Sequence, residues 1–237
     1  MPEWWTYGLS DLVMFSRETY YRLFELYNVA IWPAQIVAAA AAVWIGALIR
    51  RGGASRGRVV AAALSAYWLW VAIVFHANRY ATINWAASYF TAGFALEAAL
   101  LIWIGVVRGR LLFDVDGGPR RAGFWIFLFA FAVQPLAGLL IGRGWRQIEI
   151  FGVAPDPTAV GTLGILLLAA GRVRWELITI PVVWCAVFGV MLLAMEAPDA
   201  WIPLAAGAVV LALVISIRAA DGRGSSRSTR SPAFRVL

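Results

Sequence analysis

The sequence predicts an all-α, polytopic membrane bundle of about seven transmembrane helices with an N-terminal interfacial helix. Three observations predict it. The 237 residues are 62% hydrophobic, with a mean hydropathy of +0.77. The apolar residues come in blocks of roughly 15 to 22 separated by short arginine-bearing loops, which is transmembrane patterning rather than a soluble core. Arginine and tryptophan collect at the ends of those blocks, as they do where helices leave a bilayer.

Taken in order, residues 1–30 open as MPEWWTYGLSDLVMF, without the basic stretch, short apolar core and small-residue cleavage site of a signal peptide. SRETYYRLFELY (16–27) has helical spacing, with Leu23 and Leu26 on an apolar side and Glu18 to Arg22 four apart. With Trp4, Trp5, Tyr20 and Tyr21 nearby, it reads as an extracytoplasmic helix in the membrane interface. Spans are expected at about 31–49, 59–75, 86–107, 122–142, 157–171, 176–195 and 200–217, making 31–217 one transmembrane domain. The fourth is interrupted at Gln134-Pro135. The fifth, about 22 Å if helical, is shorter than the ~30 Å bilayer core, so it either crosses fully or re-enters. The Ser/Arg/Gly-rich tail, 218–237, has the composition of a disordered basic segment.

Orientation follows from arginine. All 20 basic residues are arginine, and 15 of them fall in the 50–58 and 108–121 loops, the 172–174 turn and the tail. The positive-inside rule therefore places the C-terminus in the cytoplasm and the N-terminus outside. Trp32, Trp85, Trp145 and Trp201 then mark outer helix ends, and Trp44, Trp103, Trp125 and Trp175 inner ones. The charge of +7 is explained by topology, and no nucleic-acid-binding motif accompanies it.

Composition also excludes chemistry. The single Cys185 allows no disulfide, and one histidine with one cysteine builds no ordinary zinc site or bis-histidine haem site. Without lysine there is no Schiff-base anchor for retinal. No Walker loop, Ser/His/Asp set or HExxH motif is present. No cofactor, metal or catalytic residue is expected.

The candidate residues lie in three places. Glu97 is the one acid in the middle of a long apolar run, about 16 Å from the outer end of its helix. A carboxyl at that depth is costly and is by default a proton- or substrate-binding hypothesis; its bland alternative is a protonated group gluing helices. Gln134 and Tyr67 are its candidate partners, and Gly93, one turn away, is a place for a neighbouring helix to approach. His76, Arg79 and Asn84 form an elbow between spans two and three, with His76 expected roughly 15 Å above Glu97. Around Asp156, IEIFGVAPDPTAVGTLG sets glycines and prolines ahead of the short fifth span, a pattern that points to transporter binding sites. There Asp156 is expected to cap a helix that starts at Pro157.

The runs WWTYGLSDLVMFSRETYYRLFELYNVAIWPAQ, FHANRYATINWAASYF and FGVAPDPTAVGTLG resemble bacterial multi-pass membrane proteins grouped as a domain of unknown function. The similarity spans nearly the whole chain, from Trp4 to about Val214. In that pattern cysteine is more usual than Asp156 between the two prolines, so a redox or metal role at this position is in doubt here. The resemblance implies a bacterial inner-membrane protein and carries no activity with it.

Together these readings favour a small, non-enzymatic permease for a small solute or ion, proton-coupled at Glu97. The alternative is a non-transporting accessory or sensor subunit, and more remotely an intramembrane enzyme on a lipid-like substrate. The bilayer is the expected partner, and a homo-oligomer or membrane partner stays open.

Overall fold

The computed structural model describes residues 15–113, 120–171 and 173–228, and within them the chain is helical. Trp4 and Trp5, the two aspartates of the 108–121 loop and the last nine residues lie outside the described part. Helix α1 spans Arg17–Ala30, capped by Ser16, whose hydroxyl accepts from the Thr19 amide. It is followed by α2 (Ala34–Arg51), α3 (Ala54–Trp70), α4 (Ala87–Leu100), α5 (Arg120–Leu128), α6 (Gln134–Leu140), α7 (Pro155–Leu167), α8 (Trp175–Ala194) and α9 (Trp201–Ser228). Wide π-type turns prolong α3 through Val71–Ala77 and α4 through Leu101–Val107, and join α5 to α6 through Phe129–Val133. Such turns frequently mark functional positions.

Among the described residues, six helices are long and apolar enough to cross a membrane: Ala34–Arg51, Ala54–Thr82, Ala87–Val107, Arg121–Leu140, Trp175–Ala194 and Trp201–Ala219. Their outer faces carry exposed Val37, Val43, Val183 and Ile215, a surface that needs lipid rather than water around it. These spans match the expected first to fourth, sixth and seventh, except that α9 stays helical to Ser228, beyond the expected end near 217.

The fifth expected span is the organising exception. α7 has 13 residues, about 20 Å of helix, and every one of them is buried. It is a central rod packed by α3, α5, α8 and α9. Two glycines bring α5 against it: a Cβ on Gly164 would stand 2.5 Å from the Phe127 amide nitrogen. One on Gly123 would stand 2.6 Å from the Gly164 carbonyl. At its C-terminal end, Ala170 donates to the Leu112 carbonyl in the loop after α4. At its N-terminal end the chain enters as non-helical backbone, 148–154, enclosed by protein, the condition under which irregular backbone is tolerated at depth. Gly152 adopts φ +91°, and a Cβ there would stand 2.7 Å from the Tyr67 ring, so both conformation and space demand glycine.

α1 closes this end of the bundle. Its buried side is Tyr20, Leu23, Phe24 and Tyr27, whereas the expected Leu26 is half exposed. Tyr27 donates to the Val153 carbonyl at 2.7 Å and accepts from Trp70 Nε1 at 2.9 Å. The expected Glu18–Arg22 pair does not form; Arg22 pairs with Glu25 at 2.7 Å and Arg17 with Glu18 at 3.2 Å. α1 is thereby bonded into the core, which a purely surface-lying helix would not be.

Candidate functional site

Glu97 lies on α4 and is fully enclosed; neither carboxylate oxygen has a hydrogen-bond partner among the described residues. The two expected partners are engaged elsewhere. Tyr67 donates to the Ala38 carbonyl at 2.7 Å, and Gln134 lines a different cavity. Ser65 of α3, close to the acid, donates instead to the Ala98 carbonyl at 2.9 Å. Gly93, expected to admit a close neighbour, has nothing within 4 Å of the place a Cβ would occupy. It lines an open groove between α4 and α8, and the close approach of α3 to α4 occurs at Gly105, against Ala61.

His76 sits in the π-type turn that ends α3 and is wholly buried, not at an open vestibule. Its ring is surrounded by aromatics: Phe94 at 4.6 Å between centroids, Trp184 at 5.1 Å and Tyr80 at 5.8 Å. Neither ring nitrogen has a partner. Phe94 stands one helical turn from Glu97 on α4, about 4.5 Å along the axis, so His76 is set deeper than the sequence spacing implied. Arg79 is exposed, and Asn84 is structural, its side chain accepting from the Ala86 amide at 2.9 Å ahead of α4.

Asp156 is joined to this group through Trp184, whose indole N–H donates to the carboxylate at 2.8 Å. It does not cap α7, which begins two residues earlier than expected: Ala154 holds the cap position and Pro155 the first turn. Asp156 also faces a second cluster that sequence reasoning missed. Arg143 is buried and contacts Glu149 at 2.8 Å and Asp199 at 3.1 Å, and donates to the Gln147 carbonyl at 2.7 Å. Its guanidinium lies over the Tyr21 ring at 4.4 Å. These groups, with Gln134 and Asp156, line a cavity of about 20 Å³, just above the ~10–15 Å³ one water needs. Glu149 Oε2, Arg143 Nε and Gln134 Oε1 are without partners.

The electrostatics of this cluster are uneven. Burial raises the Glu149 carboxyl above its ordinary range, with Asp199 adding to the effect and Arg143 opposing it. Burial by itself would lower the pKa of Arg143, but the Glu149 and Asp199 charges outweigh it and hold it raised. The guanidinium stays charged while Glu149 is the group poised to take up a proton. Burial, then Asp199, pushes the Tyr21 phenol up to about 12, so it remains protonated. That keeps it a donor toward Asp199, at 3.4 Å.

The structure thus joins His76 to Asp156 through Trp184 in an aromatic-walled column, with Glu97 one helical turn from Phe94 on the same helix, and sets Gln134 at its end beside Arg143. Arg79 and Asn84 stay outside it. The sequence analysis singled out none of Arg143, Glu149 and Asp199; the available signal was Glu149 itself, an acid framed by Ile148, Ile150 and Phe151. No group of three or more metal-ligating side chains with suitable geometry occurs among the described residues.

A family model described as a family of unknown function (DUF6064) matches residues 17–224. The chain belongs to this family. The match begins at the first residue of α1 and ends within α9, so α1, the central α7 and the buried column all lie inside the family's extent. No curated protein and no solved structure matches the chain.

Proposed function

We propose that this DUF6064 member is a small, non-enzymatic membrane permease that couples movement of a small solute or ion to proton binding at Glu97. The single observation that carries the reading is the enclosed, unpartnered Glu97 carboxyl within a membrane-length helix. A purely structural acid gains its place by hydrogen bonding across helices, and this one makes no such bond. Two features support it. Phe94, one helical turn from Glu97, touches His76, and Trp184 joins His76 to Asp156 at the Arg143 end of the bundle. α7 is a short helix entered by non-helical backbone, a feature of the construction on which transporter sites are built. In this reading the column alternates between a proton-loaded state and one open to solute. In this reading the protein resides in a bacterial inner membrane, as the resemblance implies, with its C-terminus inside, as the arginine distribution implies.

The second reading, a non-transporting accessory or sensor subunit, is favoured by the close α5–α7 contact, which closes that side of the central helix. One experiment separates them. Full-length protein is reconstituted in liposomes holding a pH-sensitive dye, an acid pulse is applied, and solute-stimulated proton entry is followed for a panel of small ions and neutral solutes. Permease function gives protein-dependent entry that Glu97→Gln lowers by about tenfold or more, with melting unchanged. Equal rates in both proteins, or no protein-dependent entry with any solute, would overturn it.

A further inference from the structure

A further cavity shares no lining residue with the Arg143 cavity. It is a groove of about 460 Å³ between the end of α1, the start of α2 and segment 145–150, within the size range of small-molecule sites. Val29, Ile148 and Ile150 make its walls apolar. Its rim carries Trp32 and Trp145, 65% and 69% exposed, side chains that settle where a bilayer meets water. Arg146 lies over the Trp145 ring at 4.8 Å and supplies a cation at the same rim. The N-terminus of α2, an 18-residue helix with no side-chain cap, opens here at Gln35, and such an end favours an anion.

Gln35 provides the independent observation. It lines the groove, is more than nine-tenths buried, and its amide nitrogen donates to the Asn28 carbonyl at 2.7 Å. Asn28 in turn donates to the Arg146 and Ile148 carbonyls at 2.8 and 2.9 Å, which fixes the orientation of both side chains. Gln35 Oε1 is left without a donor. A buried acceptor in this position costs free energy until a donor reaches it.

We propose that this groove binds one glycerophospholipid whose headgroup carries a hydrogen-bond donor. Its acyl chain lies on Val29, Ile148 and Ile150, its phosphate faces Arg146 and the start of α2, and its hydroxyl or ammonium group serves Gln35. The apolar surface of α2 beyond the groove, with Ile36 and Val37 exposed, continues the path of the chain into the bilayer. This site stands independently of proton coupling at Glu97.

The test is native mass spectrometry of the full-length protein in mixed micelles with phosphatidylglycerol, phosphatidylethanolamine or phosphatidylcholine of matched acyl chains. The expected result is one phospholipid retained per chain, with the glycerol and ethanolamine headgroups retained about tenfold better than choline, which has no donor. Arg146→Ala should reduce retention by about tenfold. Val29→Trp, at an exposed position, should block it by filling the groove while leaving Gln35 and Arg146 in place. Equal retention of phosphatidylcholine, or retention unchanged in both variants, would show annular lipid only and overturn the proposal. Displacement of the lipid by inorganic phosphate would also overturn it, by showing a free-anion site.

Discussion

Arg143 is enclosed nearly as fully as Glu97, but it has two carboxylates within 3.1 Å where Glu97 has no partner. The contrast sets opposite expectations for substitution. Arg143→Met leaves Glu149 and Asp199 facing each other in a buried space and should cost about 3–5 kcal/mol in a denaturation measurement. Glu97→Gln removes an ionisable group that bonds nothing, so the melting temperature should hold within a few degrees while proton coupling is lost. Glu149 contributes to the pH dependence. Its folded-state pKa lies above the ordinary 4.5, so between those values the folded protein holds a proton that the unfolded chain has released. Stability should therefore fall as pH rises from 4.5 through the folded-state pKa and level off above it. Melting curves in detergent across about pH 4 to 8 should show that slope, and Glu149→Gln should reduce it; an unchanged slope would assign it to another group.

At the scale of elements, the glycines distinguish close helix contacts from open faces. Gly164→Ala drives a methyl group into the α5 backbone and should destabilise by about 1–3 kcal/mol. Gly93→Ala meets nothing within 4 Å. There the better helix propensity of alanine should leave stability unchanged or raise it by up to about 1 kcal/mol. Parallel thermal melts of the two variants check the assignment of α7 as the tightly packed centre. Sequence patterning made the six long spans legible, though the second runs Ala54–Thr82 rather than 59–75, because apolar blocks and arginine-bearing ends are local signals. It left α7 ambiguous, since a wholly buried helix is apolar all round and shows no face by which to place it. Helix pairing was not legible either: Gly93 looked like a contact, yet the contact formed at Gly105, because which face meets a neighbour depends on the whole bundle.

For the molecule as a whole, the sequence made the ionisable groups visible singly and their assembly only in part. Glu97, His76 and Asp156 stood out because each interrupts an apolar or turn-rich stretch. Their connection through Phe94 and Trp184 depends on aromatic residues that look like ordinary core. The Arg143 cluster joins residues up to 56 positions apart, a pairing that no local pattern encodes. If the column handles protons, water must reach Glu97 in some populated state of the bundle. Infrared difference spectroscopy of the reconstituted full-length protein, with Glu97→Gln subtracted, isolates that carboxyl. The expected result is a protonated-carboxyl band that exchanges in deuterium oxide and titrates reversibly while the protein stays folded. A band that neither exchanges nor titrates under those conditions would contradict proton coupling at Glu97 and leave the acid as a sealed structural element.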